Sequence, residues 1–158
     1  MRVGITGHRL LPDATSSLVR EATRGWLTSR DPQSLVGLSF LADGADQLVA
    51  QAILDLGGAL EVIVPAVAYR AGLPEHAQSS YDDLLQQARN VHRLDFREST
   101  AEAHMAGGRE LVNRSGVLLA VWDGQPARGL GGTADIVTYA RSRKVPVHVI
   151  WPAGSARD

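Results

Sequence analysis

Val117-Leu118-Leu119-Ala120-Val121-Trp122-Asp123-Gly124, followed shortly by Gly129-Leu130-Gly131-Gly132-Thr133-Ala134-Asp135, is the stretch on which the fold turns. Five apolar residues in a row lack the polar alternation of a sheet with one wet face. Residues 117–122 therefore read as a strand buried on both sides, at the centre of a parallel sheet covered by helices. An aspartate and a glycine leave that strand, and a glycine run opens the next segment, where Ile136, Val137 and Ala140 form a helical stripe. Strand, glycine loop and helix make one βα unit.

The same unit repeats outward in both directions. Apolar runs at residues 2–6, 34–40, 60–64, about 91–94 and 145–151 read as further strands. Leu18, Val19, Ala22 and Trp26 recur at helical spacing after Asp13, and Leu48, Val49, Ala52, Ile53 and Leu56 recur up to a Gly57-Gly58 stop. Ser99 and Glu102 have capping-box spacing, which predicts a helix running to about Asn113. Residues 66–80 show no clear period and read as a mobile loop over the site. The pattern predicts a Rossmann-like three-layer α/β sandwich, with a mainly parallel central sheet flanked by helices.

With 158 residues, 44% of them hydrophobic, the chain fills one core, so a single domain is expected over residues 1–152 with a frayed tail at 153–158. A net charge of -1 and an aromatic content of 5% give no basic stripe with interleaved aromatics, so nucleic acid is not an expected partner. There is no cysteine, which excludes disulfides and thiolate chemistry. Residues 2–6 enter a strand at once, and no apolar run approaches the roughly 18 residues of a membrane span. A cytoplasmic protein without a membrane partner is the expectation.

In an open parallel sheet, ligands bind outside the carboxyl ends of the strands. The first exit offers Gly7, which allows close backbone approach, with His8 and Arg9 as donors. The second, Leu41-Ala42-Asp43-Gly44-Ala45-Asp46-Gln47, brings two carboxylates and a glycine to a helix start. Asp43 suits an N-cap, and Asp46 or Gln47 suits either the helix dipole or a ribose hydroxyl or base edge. At the fifth exit, Gly131 and Gly132 can aim consecutive N–H groups at an anion, with Thr133 adding a hydroxyl and Arg128 a guanidinium. Trp122 either ends its strand in the core or stacks on a base. Asp123, beside Gly124, points into the crevice as an acid, a base or a ribose anchor. Arg109 either reaches the same phosphate from the preceding helix or is solvated. His76, His92, His104 and His148 have no metal spacing, so neither metal nor cofactor is assigned.

The loops at residues 4–9, 41–47, 121–124 and 131–135 resemble those of the SLOG superfamily, which groups the Smf DNA-processing proteins with the LOG proteins. The likeness is greatest to its small stand-alone members. It implies a Rossmann-like sheet and a nucleotide or nucleotide-derived ligand, with the phosphate at Gly131-Gly132-Thr133. LOG enzymes cleave the N-glycosidic bond of nucleoside monophosphates with a Pro-Gly-Gly-x-Gly-Thr-x-x-Glu motif and an upstream arginine, near whose region Arg109 falls. Here Ile136 stands where the glutamate would be, and the nearest acid is Asp135, about 100° around the helix. The primary expectation is therefore a binding or sensor protein, commonly a homodimer in this fold. A nucleoside 5′-monophosphate N-glycosidase using Asp123 or Asp135 is the alternative, and DNA handling is a third reading.

Overall fold

The computed structural model describes residues 1–127 and 130–157. Its strands are β1 (Arg2–Gly7), β2 (Val36–Ser39), β3 (Ala59–Val64), β4 (Asn90–Arg93), β5 (Val117–Val121) and β6 (Val147–Ile150). The helices are α1 (Asp13–Thr28), α2 (Ala45–Asp55), α3 (Glu75–Gln86), α4 (Ala101–Asn113) and α5 (Thr133–Ser142). The strands form one sheet in the order β4-β3-β2-β1-β5-β6, and every neighbouring pair is parallel. The chain steps outward from β1 to β4, then returns past β1 to β5 and β6. The direction of winding thus reverses between β1 and β5, which opens a crevice at their carboxyl ends.

Both faces of the sheet are covered. Val3, Ile5, Leu119 and Val121 pack under α1 and α2, against Val19, Leu27, Val49 and Ile53. Leu38, Leu118 and Ala120 pack under α4 and α5, against Leu111, Val112, Ile136 and Val137. These side chains are close to fully buried, and each Val, Leu or Ile among them is worth roughly 1.5–3 kcal/mol relative to exposure. No helix among the described residues is long and apolar enough to cross a membrane.

Local chemistry explains where the observed elements depart from the expected ones. Residues 34 and 35 do not join β2 because Pro32–Ser34 forms a 3-10 turn. Strand β6 starts after Pro146, which has no N–H for the ladder. The predicted loop at residues 66–80 is ordered: Val67 and Ala68 donate to Phe96 and Arg97, and α3 begins at Glu75. Only Ala77, Tyr81 and Leu84 of α3 are buried, too few apolar positions to set a visible period. Helix α4 is capped by Thr100, whose side chain accepts from the Ala103 N–H, while the Ser99 hydroxyl instead lies 2.7 Å from His104 Nε2. The expected frayed tail is tied to α1. Thr15 Oγ1 donates to the Ala156 carbonyl and accepts from the Ala156 N–H, both at 2.9 Å.

Candidate functional site

The crevice between β1 and β5 opens into a cavity of about 270 Å³. Strand β1 ends at Gly7, whose lack of a side chain is required, since a Cβ there would lie 2.5 Å from that of Ala45. The next residue, His8, is buried and donates its N–H to the Val121 carbonyl, which locks the β1 exit to that of β5. Its ring stands edge-on to Trp151. The Asp123 N–H lies 3.0 Å from His8 Nε2, and Asp123 Oδ1 lies 3.1 Å from the same nitrogen. One nitrogen cannot serve both at once: without a proton Nε2 accepts the N–H, and with one, in the Nε2–H tautomer or the imidazolium, it donates to the carboxylate. Burial pushes the Asp123 carboxyl up, but the Gln125 N–H, His8 and Arg157 together outweigh it and hold the group below the ordinary aspartate value. Asp123 is thus an ionised anchor for the groups around it.

One wall is the start of α5. Gly131 has φ +84°, a conformation a side chain resists, and it approaches the first turn of α4 closely enough that a Cβ would sit 3.1 Å from the Ala101 carbonyl. Its N–H donates to Asp135 Oδ2 at 3.0 Å, so this helix acid folds the loop back on itself. Gly132 is the N-cap of α5 and Thr133 its first residue. Among the described residues, the N–H groups of Gly132, Thr133 and Ala134 have no hydrogen-bond partner, and Gly132 and Thr133 line the cavity. These orphan donors carry the positive end of the helix dipole.

The cavity is also lined by Phe40, Ala42, Asp46, Tyr69 and His104, the last beside Gly131. Asp46 lies in the first turn of α2, with Oδ2 3.3 Å from the Ala42 N–H. Burial pushes its carboxyl up to about 7; the Ala42 N–H opposes that rise and nearby Asp43 adds to it. Burial likewise raises the Tyr69 hydroxyl well above the usual tyrosine value, with the charge of Asp46 adding to the effect. His104 is pulled below the ordinary histidine value by burial and by Arg9, which favours neutral imidazole. Phe40, Tyr69 and His104 pack edge to face.

Not all the residues singled out in the sequence meet here. Gly7, His8, Arg9, Asp46, Gly131, Gly132 and Thr133 line the cavity. Asp43 does not cap α2; that position belongs to Gly44, at φ +84° and so close to His8 that a Cβ would lie 2.7 Å from its carbonyl. Asp43 instead accepts from Arg9 Nε at 2.8 Å, and its Oδ2 is buried without a partner. The Gln47 amide is taken up by the Leu41 and Ala77 carbonyls. Arg109 and Asp135 line a separate groove between α4 and α5, and neither lines the cavity. Trp122 is partly exposed, with Nε1 donating to the Gln125 carbonyl, and Gly124 lies in an open turn. Arg128 lies outside the described residues. Among the described residues no group of three metal-ligating side chains could hold a metal ion. Among the lining residues that sequence reasoning missed are Phe40, Tyr69, His104, Ile136 and Arg157. Ile136 was legible as a core residue, whereas Tyr69 and Arg157 sit in segments without periodicity.

No family model and no curated protein matches the sequence. Solved structures do match. In fold, the chain resembles DNA processing protein A. The Streptococcus pneumoniae protein superposes with a TM-score of 0.69 over 97% of this chain, at 17% identity. The Helicobacter pylori protein, described for its single-stranded DNA binding mode, gives 0.69 over 99% at 15% identity. A structural-genomics target, TM1055, gives 0.58 over 92% at 17% identity. This chain spans 51% of the pneumococcal DNA processing protein A, 68% of the Helicobacter pylori protein and 71% of TM1055. At such identities the likeness to DNA processing protein A is one of fold.

Proposed function

We propose that the cavity binds a nucleotide or nucleotide-derived phosphate ligand and that the protein acts as a small-molecule-binding or sensor protein. The observation that carries this reading is the start of α5, where Gly132 and Thr133, whose N–H groups have no hydrogen-bond partner among the described residues, line the crevice at which the winding of the sheet reverses. The Thr133 side chain lies on the same wall. At about 270 Å³ the cavity lies just below the usual range of about 300–1,000 Å³ for ligand sites, which suits a mononucleotide better than a dinucleotide. The shared fold supports the SLOG resemblance, and with it a cytoplasmic homodimer; light scattering that finds one chain per particle removes the dimer.

The test is a thermal-shift screen with nucleosides, their mono-, di- and triphosphates and ADP-ribose-like nucleotides, followed by calorimetry. A ligand at about 100 times its Kd adds roughly 2.7 kcal/mol of stability. Gly132→Asp is expected to abolish the response while remaining folded, because Gly132 has φ -73°, which any residue adopts. No response to any phosphate compound removes the proposal. A single-stranded oligonucleotide run alongside shows whether the likeness to DNA processing protein A extends to its ligand.

One observation favours the catalytic alternative, hydrolysis of the N-glycosidic bond of a nucleoside monophosphate. Ile136 gives the first turn of α5 an apolar surface, and Asp46 supplies to the same cavity a carboxyl that exchanges its proton near neutral pH. Asp123 and Asp135 are occupied in holding His8 and Gly131. Release of free base, abolished in Asp46→Asn but retained in Asp135→Asn, is the result this alternative expects.

A further inference from the structure

We propose that residues 152–157 form a strap whose Arg157 is a ligand-binding residue, its guanidinium pairing with the phosphate held at the start of α5. This rests on the proposed function and adds a recognition group to that site. The strap leaves β6 beside Trp151, whose ring abuts His8, and turns through a Ser155 N–H to Pro152 carbonyl bond. The two bonds between Ala156 and the buried Thr15 then fix the residue immediately before Arg157. Arg157 therefore reaches from a pinned backbone the same cavity that Gly131, Gly132 and Thr133 line.

Among the described residues, Arg9 and Arg157 line the cavity, and they differ in what they already hold. Arg9 Nε and one terminal nitrogen lie 2.8 and 2.7 Å from the same Asp43 oxygen, so its charge is largely met within the fold. Arg157 comes no nearer than 3.8 Å to Asp123 Oδ2, beyond hydrogen-bond distance, and no hydrogen bond from its guanidinium is found among the described residues. A phosphate dianion over the α5 N-terminus calls for a fork of N–H donors, which a guanidinium in this position supplies. Asp123, holding His8 and standing behind Arg157, is then a positioning residue that keeps the guanidinium in reach until the ligand takes it.

The experiment is calorimetric titration of the full chain with adenosine 5′-monophosphate, inorganic phosphate and adenosine. In Arg157→Ala, affinity for both phosphate-bearing probes is expected to fall by about tenfold or more, while any affinity for adenosine is unchanged. Arg157→Lys recovers part of the loss. Thr15→Val, which unpins the strap without touching the cavity, gives a smaller loss, provided its circular dichroism matches wild type. If Arg157→Ala stays within about twofold of wild type while Gly132→Asp abolishes binding, Arg157 has no such role and the proposed function stands. An equal loss for adenosine marks a structural effect and likewise overturns the assignment. If the wild-type chain binds neither phosphate probe, the strap proposal falls; the wider screen decides the proposed function separately.

Discussion

At the scale of single residues, two buried carboxyls pull stability in opposite directions with pH. The fold favours protonated Asp46, held at about 7 against an ordinary 3.8. Below about pH 4 the proton is bound in both folded and unfolded chains. Between there and neutrality the unfolded chain loses it first, so stability falls as pH rises, by up to about 4 kcal/mol once pH exceeds 7. Asp46→Asn, which keeps an oxygen for the Ala42 N–H, should therefore be more stable than wild type in urea at pH 8 and lose that advantage at pH 4. Glu61 behaves oppositely. Hydrogen bonds from Arg2 outweigh its burial and, with His92 and Arg89, hold it at about 2. Its contribution, about 2–3 kcal/mol after allowing for the exposed arginine ends, is present above pH 4.5 and lost as pH falls toward 2. Glu61→Gln is expected to cost about that much at pH 7 and much less near pH 2 in the same assay. In the sequence, Asp46 stood out as an acid at a helix start, but its neutrality could not be read there, because desolvation depends on Phe40 and Tyr69 closing around it. Glu61 gave no signal at all, since its three partners come from β1, the turn before β4 and β4 itself.

At the scale of elements, the helix starts bear on both stability and function. Thr100→Ala removes the side-chain acceptor for the Ala103 N–H and should cost about 1 kcal/mol in thermal or chemical unfolding. Ser99→Ala, one residue earlier, tests the assignment: it removes the His104 contact but leaves the cap, and should leave the amide protection of Ala103 unchanged. At α5, Gly131→Ala meets a positive φ together with the Ala101 carbonyl and Met105 N, both at 3.1 Å. It is expected to destabilise by about 1–3 kcal/mol and to weaken ligand binding with it, because the loop that aims the N–H groups must shift. Strands buried on both faces and helices with a strong apolar stripe were legible in the sequence: β1, β3, β5, α2 and α5 lie close to where periodicity put them. Helix α3 was not, since it fully buries only three side chains, with Leu85 partly buried beside them, and spends most other positions on polar groups such as Gln78, Ser79 and Asp82. The cap of α4 was misplaced by one residue because Ser99 and Thr100 are chemically alike and only the position of His104 separates their roles.

At the scale of the molecule, the site exists because the sheet reverses its winding between β1 and β5, a property of strand order that alternation of βα units anticipates and local sequence does not specify. The side chains on either side of that crevice are remote in sequence: His8 meets the Asp123 N–H across 115 positions, and Thr15 meets Ala156 across 141. With the two faces of one continuous sheet sharing its strands, unfolding should be a single cooperative transition, checked by coincidence of fluorescence and circular dichroism melts. The same strand order has a consequence during synthesis. A ribosome delivers β1 long before β5, and at about 5–20 residues per second the unpaired edge of β1 waits on the order of ten seconds for its partner. Until then the nascent chain has four of the six strands, an open edge available for wrong pairing and no crevice at all. Occupancy of the cavity therefore reports that translation has passed β5 and that the late part of the chain has closed over the early one.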